Sequence, residues 1–307
     1  MTGKLFSSIG AIGTLALGLL PGVALAQVAG QEVPGHALGG EIGLQPSVTP
    51  IMDSIHAFHD GPLLWTAVLI ALLVLVLLVL VMVRFNAKAN PTPSRTTHNT
   101  LIEVVWTVVP ILVLVIIAIP SFSVLTDQLT VPDGQRKYLG SNIFSFGEVE
   151  VPAPELTIKA TGQQWYWDYE YVDDGQTITS YILSETDRQA TKAAQPRLLA
   201  VDYEMVVPVD TTVRLQVTAD PSGVIHAFAM PSFGIKIDAV PGRLNETWFN
   251  ARKEGLYYGQ CSELCGKDHA FMPIAIRVVS KDQYAAWMEA FKGGDIDAAN
   301  ATLPPVT

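Results

Sequence analysis

Hydrophobic and polar positions along this 307-residue chain fall into three regimes. Residues 63–83 and 104–125 are uncharged, apolar all round and each about as long as the ~20 residues a helix needs to cross a bilayer. From about residue 155 the pattern turns to short β-type runs: 155–162, 164–171, 197–209, 212–219, 226–230, 235–240 and 275–280. Several alternate with period two, as where Val213, Leu215 and Val217 face one way and Arg214, Gln216 and Thr218 the other. Such spacing predicts a Greek-key β-sandwich or barrel, with 172–197 as a polar excursion. In the third regime the period lengthens. Ser280 with Gln283 three later has the form of a capping box, and Tyr284, Trp287, Met288 and Phe291 mark one helical face.

Charge gives the apolar runs a direction. The linker between them carries Arg84, Lys88 and Arg95 and no acid, whereas 27–62 carries Glu32, Glu41, Asp53 and Asp60 and no Lys or Arg. The positive-inside rule puts the linker in the cytoplasm and both ends outside the cell membrane. Before this, Lys4 precedes an uncharged run at 5–20, followed by Ala24-Leu25-Ala26, the form of a cleaved secretory signal over 1–26. The expected layout is therefore an external segment at 27–62, a transmembrane hairpin at 63–125, an exported β-domain with its terminal helix at 126–292, and a loose tail at 293–307 after Gly293-Gly294. The exported part holds 15 basic and 24 acidic residues, a net charge of −9. That argues against nucleic acid and favours a basic protein partner, with salt-sensitive encounter.

The two cysteines of the chain lie four apart in "GQCSELCGKDHAFMP". Cys261, Cys265, His269 and Met272 share one inter-strand loop, and His226 begins a strand-like run 35 residues upstream. Three chemistries compete for them. An exported Cys pair can form a disulfide, which would make the domain a stapled structural module. Two thiolates and two imidazoles can hold zinc. Two thiolates can also bridge two coppers, each with one terminal histidine, Met272 as a weak ligand to one and a backbone carbonyl within 261–265 for the other. Only this last reading uses every donor, and the thioether favours copper.

The same string resembles the dinuclear copper loop of the cytochrome c oxidase subunit II family, and "GQQWYWDYEY" and "PSFGIKIDAVPGRLNETWF" resemble it as well. The resemblance covers the mature chain apart from the excursion and the tail. It implies a cupredoxin-like fold, copper ligands His226, Cys261, Glu263 (through its carbonyl), Cys265, His269 and Met272, and a magnesium ion on the Glu263 side chain at the boundary with subunit I. It implies electron input from cytochrome c through Trp165, proton uptake into subunit I beside Glu103, and docking acids at Glu170, Glu204 and Asp220. Asp238 and Arg243 resemble residues near the subunit I boundary. Gln163 and Gly223 depart from the family pattern. Oxygen chemistry would sit on the partner, because His36, His56, His59 and His98 lie outside both apolar runs. Subunit I, subunit III, cytochrome c and lipid are the partners so implied, in a proton-pumping respiratory complex. A quinol-oxidase relative would lack the copper donors, and a membrane-tethered copper carrier would have no use for Trp165.

Overall fold

The computed structural model of the protein describes residues 35–140 and 147–304; the expected signal at 1–26 lies outside them. Helix α1 (Pro50–Phe58) starts where the Thr49 hydroxyl accepts the Met52 amide and Pro50 presets the first turn. A wider turn, His59–Leu63, carries the chain through Gly61 and Pro62 into α2 (Leu64–Arg84). The sequence pattern did not reveal α1, because Gly61-Pro62 reads as a break. Helix α3 (Thr100–Leu129) runs on through Pro110 and Pro120. No residue of α2 is buried, and in α3 only Pro120 and Asp127 are. Apolar side chains exposed over that length need lipid or a protein partner as solvent.

At the far end of α3 the buried Asp127 carboxylate accepts hydrogen bonds from the Arg136 guanidinium (3.0 Å) and the Leu139 amide (2.9 Å). Its carbonyl accepts the Trp248 indole N–H at 2.8 Å. These bonds fasten the helix to the β-domain, beside a two-residue ladder of β1 (Lys137–Tyr138) and β2 (Val149–Glu150).

The domain consists of ten further strands and three helices. In chain order these are β3 (Leu156–Gln163), β4 (Tyr166–Tyr171), β5 (Gln176–Ser180), α4 (Glu185–Thr191), β6 (Met205–Pro208), β7 (Thr212–Ala219), β8 (His226–Met230), β9 (Ile235–Ala239), β10 (Asn245–Asn250), β11 (Gly255–Cys261), β12 (Pro273–Val279), α5 (Lys281–Lys292) and α6 (Ile296–Asn300). They form two five-stranded sheets, β10-β7-β3-β4-β5 and β6-β12-β11-β8-β9. The β3–β7 and β6–β12 pairs are parallel and the other pairs antiparallel. Trp167, Tyr169, Tyr171, Phe228 and Phe249 fill the space between the sheets. Helix α5 keeps its Ser280–Gln283 capping box and lays Trp287 and Phe291 against Tyr171.

Two expectations need correction. The run at 197–209 pairs in a ladder only at β6, because Leu198 turns the chain at φ 68°. The polar excursion at 172–197 contains β5 and α4. The tail described up to residue 304 is not loose: Ala299 and Leu303 are buried, and Asn300 accepts the Trp287 indole N–H at 2.9 Å.

Candidate metal centre

His226 opens β8 and Cys261 closes β11, and these neighbouring strands pair Cys261 with Phe228. The loop beyond Cys261 is tied at both ends, by the Ser262 amide on the Ala227 carbonyl (3.1 Å) and the Cys261 amide on the Met272 carbonyl (3.4 Å). A single helical turn at His269–Phe271 brings His269 back over the loop.

Every donor expected from the sequence meets here. Cys261 Sγ lies 3.8 Å from His226 Nδ1, 3.3 Å from the Glu263 carbonyl and 3.9 Å from Cys265 Sγ. Cys265 Sγ lies 3.6 Å from His269 Nδ1 and 3.5 Å from Met272 Sδ. Both thiols are free and buried, as are His226 and Met272. A disulfide requires its sulfurs about 2.05 Å apart. A separation of 3.9 Å is shorter than the ~4.6 Å spanned by two metal–sulfur bonds of about 2.3 Å. One ion can therefore touch both sulfurs, so the donor set fits a soft metal ion such as copper.

Burial pushes the Cys265 thiol up to about 12, with the charge of Cys261 adding to it. The same desolvation, helped by His269, lowers His226 and favours the neutral imidazole that a metal requires. His226 stands against Gly162, where a Cβ would meet its ring at 2.9 Å. Its Nε2 is buried and has no hydrogen-bond partner among the described residues.

A model of the cytochrome c oxidase subunit II periplasmic domain matches residues 156–279, and one of that subunit's transmembrane domain matches residues 37–124. The chain belongs to the cytochrome c oxidase subunit II family. A probable cytochrome c oxidase subunit 2 of Rickettsia bellii (strain RML369-C) is 47% identical over 249 residues, 81% of this chain and 83% of that protein. The cytochrome c oxidase subunit 2 of Cereibacter sphaeroides is 40% identical over 303 residues, 94% of this chain and 92% of its own. A solved periplasmic domain of subunit II of cytochrome oxidase from Bradyrhizobium japonicum is 59% identical, covering 47% of this chain and 98% of that one with a TM-score of 0.42. As in the family, two membrane-spanning helices precede a cupredoxin-like sandwich, the periplasmic domain.

The other sequence-derived residues scatter. Trp165 lies just before β4, half-buried, and its indole N–H donates to the Cys265 carbonyl at 3.0 Å. Gln164, which sequence reasoning missed, donates to the same oxygen at 3.1 Å. Glu263 turns its side chain outward. Glu103 accepts the Asn99 amide at 3.0 Å and so caps α3. Asp220 stays at the metal end, its amide on the Gly162 carbonyl and its carboxyl held below the usual range by the Ser222 hydroxyl and amide. Glu170 pairs with Lys159 five residues along the strand from Trp165, on the order of 16 Å away. Glu204 is a correction. It is 4% exposed and clamped by Lys192 (2.6 Å) and Gln195 (3.0 Å), so a docking protein cannot reach it. Asp238 and Arg243 are both exposed.

Proposed function

We propose that this chain is the electron-receiving subunit of a cytochrome c oxidase, taking electrons from cytochrome c at a dinuclear copper site and delivering them to the oxygen-reducing centre of subunit I. The observation that carries the reading is the pair of reduced sulfurs 3.9 Å apart, ringed by two imidazoles, a thioether and a carbonyl. His226, Cys261, the Glu263 carbonyl, Cys265, His269 and Met272 would hold the ions. Bound there, the copper pair supplies a one-electron store whose charge is shared over both metals and both sulfurs. The chain's own part is rigidity: strand ends and tied loop termini fix the donors beforehand, so little moves when the charge changes. Burial excludes water and tunes the potential.

Trp165, bonded to the Cys265 carbonyl, is the input residue, and Asp220 is the acid left to meet a basic cytochrome c at this end. The exposed Glu263 side chain is the magnesium ligand toward subunit I, and Glu103 borders the proton path there. The basic linker lies in the cytoplasm, so the sandwich faces the periplasm across the inner membrane. Subunit III completes the pumping complex.

Quantitative metal analysis of the purified oxidase tests the core of this. Two coppers per copy of this chain, with the mixed-valence spectrum of a delocalised pair and its loss in Cys265→Ser, are expected. A single copper or a Cys261–Cys265 disulfide would sink the reading.

A further inference from the structure

Three consecutive residues of the metal loop touch one indole. The Cys265 carbonyl accepts the Trp165 N–H at 3.0 Å. At Gly266 a Cβ would stand 2.8 Å from Trp165 Cζ2 and 3.3 Å from Cε2 and Nε1. The Lys267 ammonium stands 5.3 Å from the ring centroid on a side chain that is 76% exposed. Elsewhere in the aromatic run, Trp167, Tyr169 and Tyr171 are fully buried in the core, whereas Trp165 is only half-buried and precedes the strand ladder. Its seat therefore depends on the loop.

We infer that Gly266 and Lys267 are positioning residues that hold the Trp165 indole on the Cys265 carbonyl. The inference rests on the proposed role of Trp165 as the input residue. From the indole, one hydrogen bond and four covalent bonds lead to the Cys265 sulfur. Electronic coupling across a hydrogen bond is stronger than across a van der Waals gap, so lifting the ring off the carbonyl weakens the path without touching a metal donor. Gly266 permits the contact twice over: it leaves the ring its space, and its φ of +122° is one that L side chains rarely adopt. Lys267 restrains the ring by a cation–π contact. Sequence spacing alone gave Lys267 no role, because the contact is made with a residue about a hundred positions earlier.

The test measures intracomplex electron transfer from a photoreducible cytochrome c to the purified oxidase, at saturating donor and low ionic strength where the complex stays formed, with the copper absorption as a control. Trp165→Phe sets the floor. Gly266→Ala should slow transfer toward that floor with the copper spectrum kept. Lys267→Met should slow it about two- to five-fold, the worth of an exposed cation–π contact, and Lys267→Arg should restore it. Should Gly266→Ala lose its copper, the Met and Arg variants of Lys267 decide alone. Unaltered transfer in Lys267→Met, or a Lys267→Arg as slow as it, overturns the inference while Trp165→Phe stays slow. A Trp165→Phe that transfers normally overturns the input role itself.

Discussion

Replacing Lys192 by Met should destabilise the chain more than replacing Glu204 by Gln, although both remove the same ion pair. The Lys192 ammonium donates to Glu204 Oε1 (2.6 Å), the Val201 carbonyl (2.9 Å) and the Asp202 carbonyl (2.8 Å). Its side chain is 22% exposed, against 4% for Glu204. Lys192→Met leaves a carboxylate out of water with Gln195 as its remaining side-chain donor. Stranding one member of a buried pair costs about 3–5 kcal/mol. Glu204→Gln keeps an acceptor in place and leaves the lysine two carbonyls and a path to water. The loss is one charge-assisted hydrogen bond, about 1.5–3 kcal/mol. In the double variant Lys192→Met/Glu204→Leu the stranded carboxylate is gone, so much of the larger loss should return, less the attraction that Glu204 gives the nearby Arg277 guanidinium. Equilibrium urea unfolding of the purified chain in detergent, followed by tryptophan fluorescence, ranks the three. The salt dependence of turnover with cytochrome c should be unchanged in Glu204→Gln. If that variant loses less than about 0.5 kcal/mol and also flattens the salt profile, Glu204 is a docking acid after all and the buried-pair reasoning fails.

Gly162→Ala places a methyl against the His226 imidazole and should cost about 1–3 kcal/mol of overpacking. Its sharper sign is a fall in copper content or a changed copper spectrum, and an unaltered site would show that His226 has slack. Asp127→Asn weakens the charge-assisted bonds to Arg136 and Leu139, an expected loss of about 1.5–3 kcal/mol. It should expose residues 130–140 to protease, and wild-type resistance there would count against the fastening role. Ser280→Ala removes the α5 cap, with an expected loss of about 0.5–2 kcal/mol in urea unfolding and no change in copper absorption.

Where one local signal dominated, the sequence was legible. The ladders of β7 and β8 fall at 212–219 and 226–230, because alternation or a short apolar run there is bounded by turn residues. The β6 region misled because Leu198, Leu199 and Ala200 look like strand, while the tertiary fold needs a turn and a buried Lys192–Glu204 pair there. The strand β10 hid because Asn245, Glu246 and Asn250 break up the apolar pattern; in the fold Glu246 is tied to Arg214 and Gln216, and Asn250 to Thr212. At the metal end, the Cys–His–Met string is local and could be read. The contacts that Gly162, Gln164 and Lys267 make are long-range. No spacing rule announces them, since each depends on which strand the fold sets alongside.

The register of three adjacent strands ties fold to site. In the order β12-β11-β8, Cys261 lies directly opposite Phe228, so the two side chains share the inward face, and His226, two residues before Phe228, shares it too. Met272 immediately precedes β12, the strand on the other side of β11. The donors far apart in sequence are thus brought together by ladder hydrogen bonds, and the loop from 262 to 272 has only a short gap to close. A slip of one residue between β8 and β11 would point Cys261 outward and separate it from His226. A slip that flipped β8 instead would carry Phe228 and Met230, both fully buried on this face, out of the space between the sheets, and that loss of packing opposes it. The same burial that stabilises the sandwich therefore holds two thiols and an imidazole with their ligand atoms within 4.8 Å of one another, so the fold itself assembles the donors of the proposed copper site.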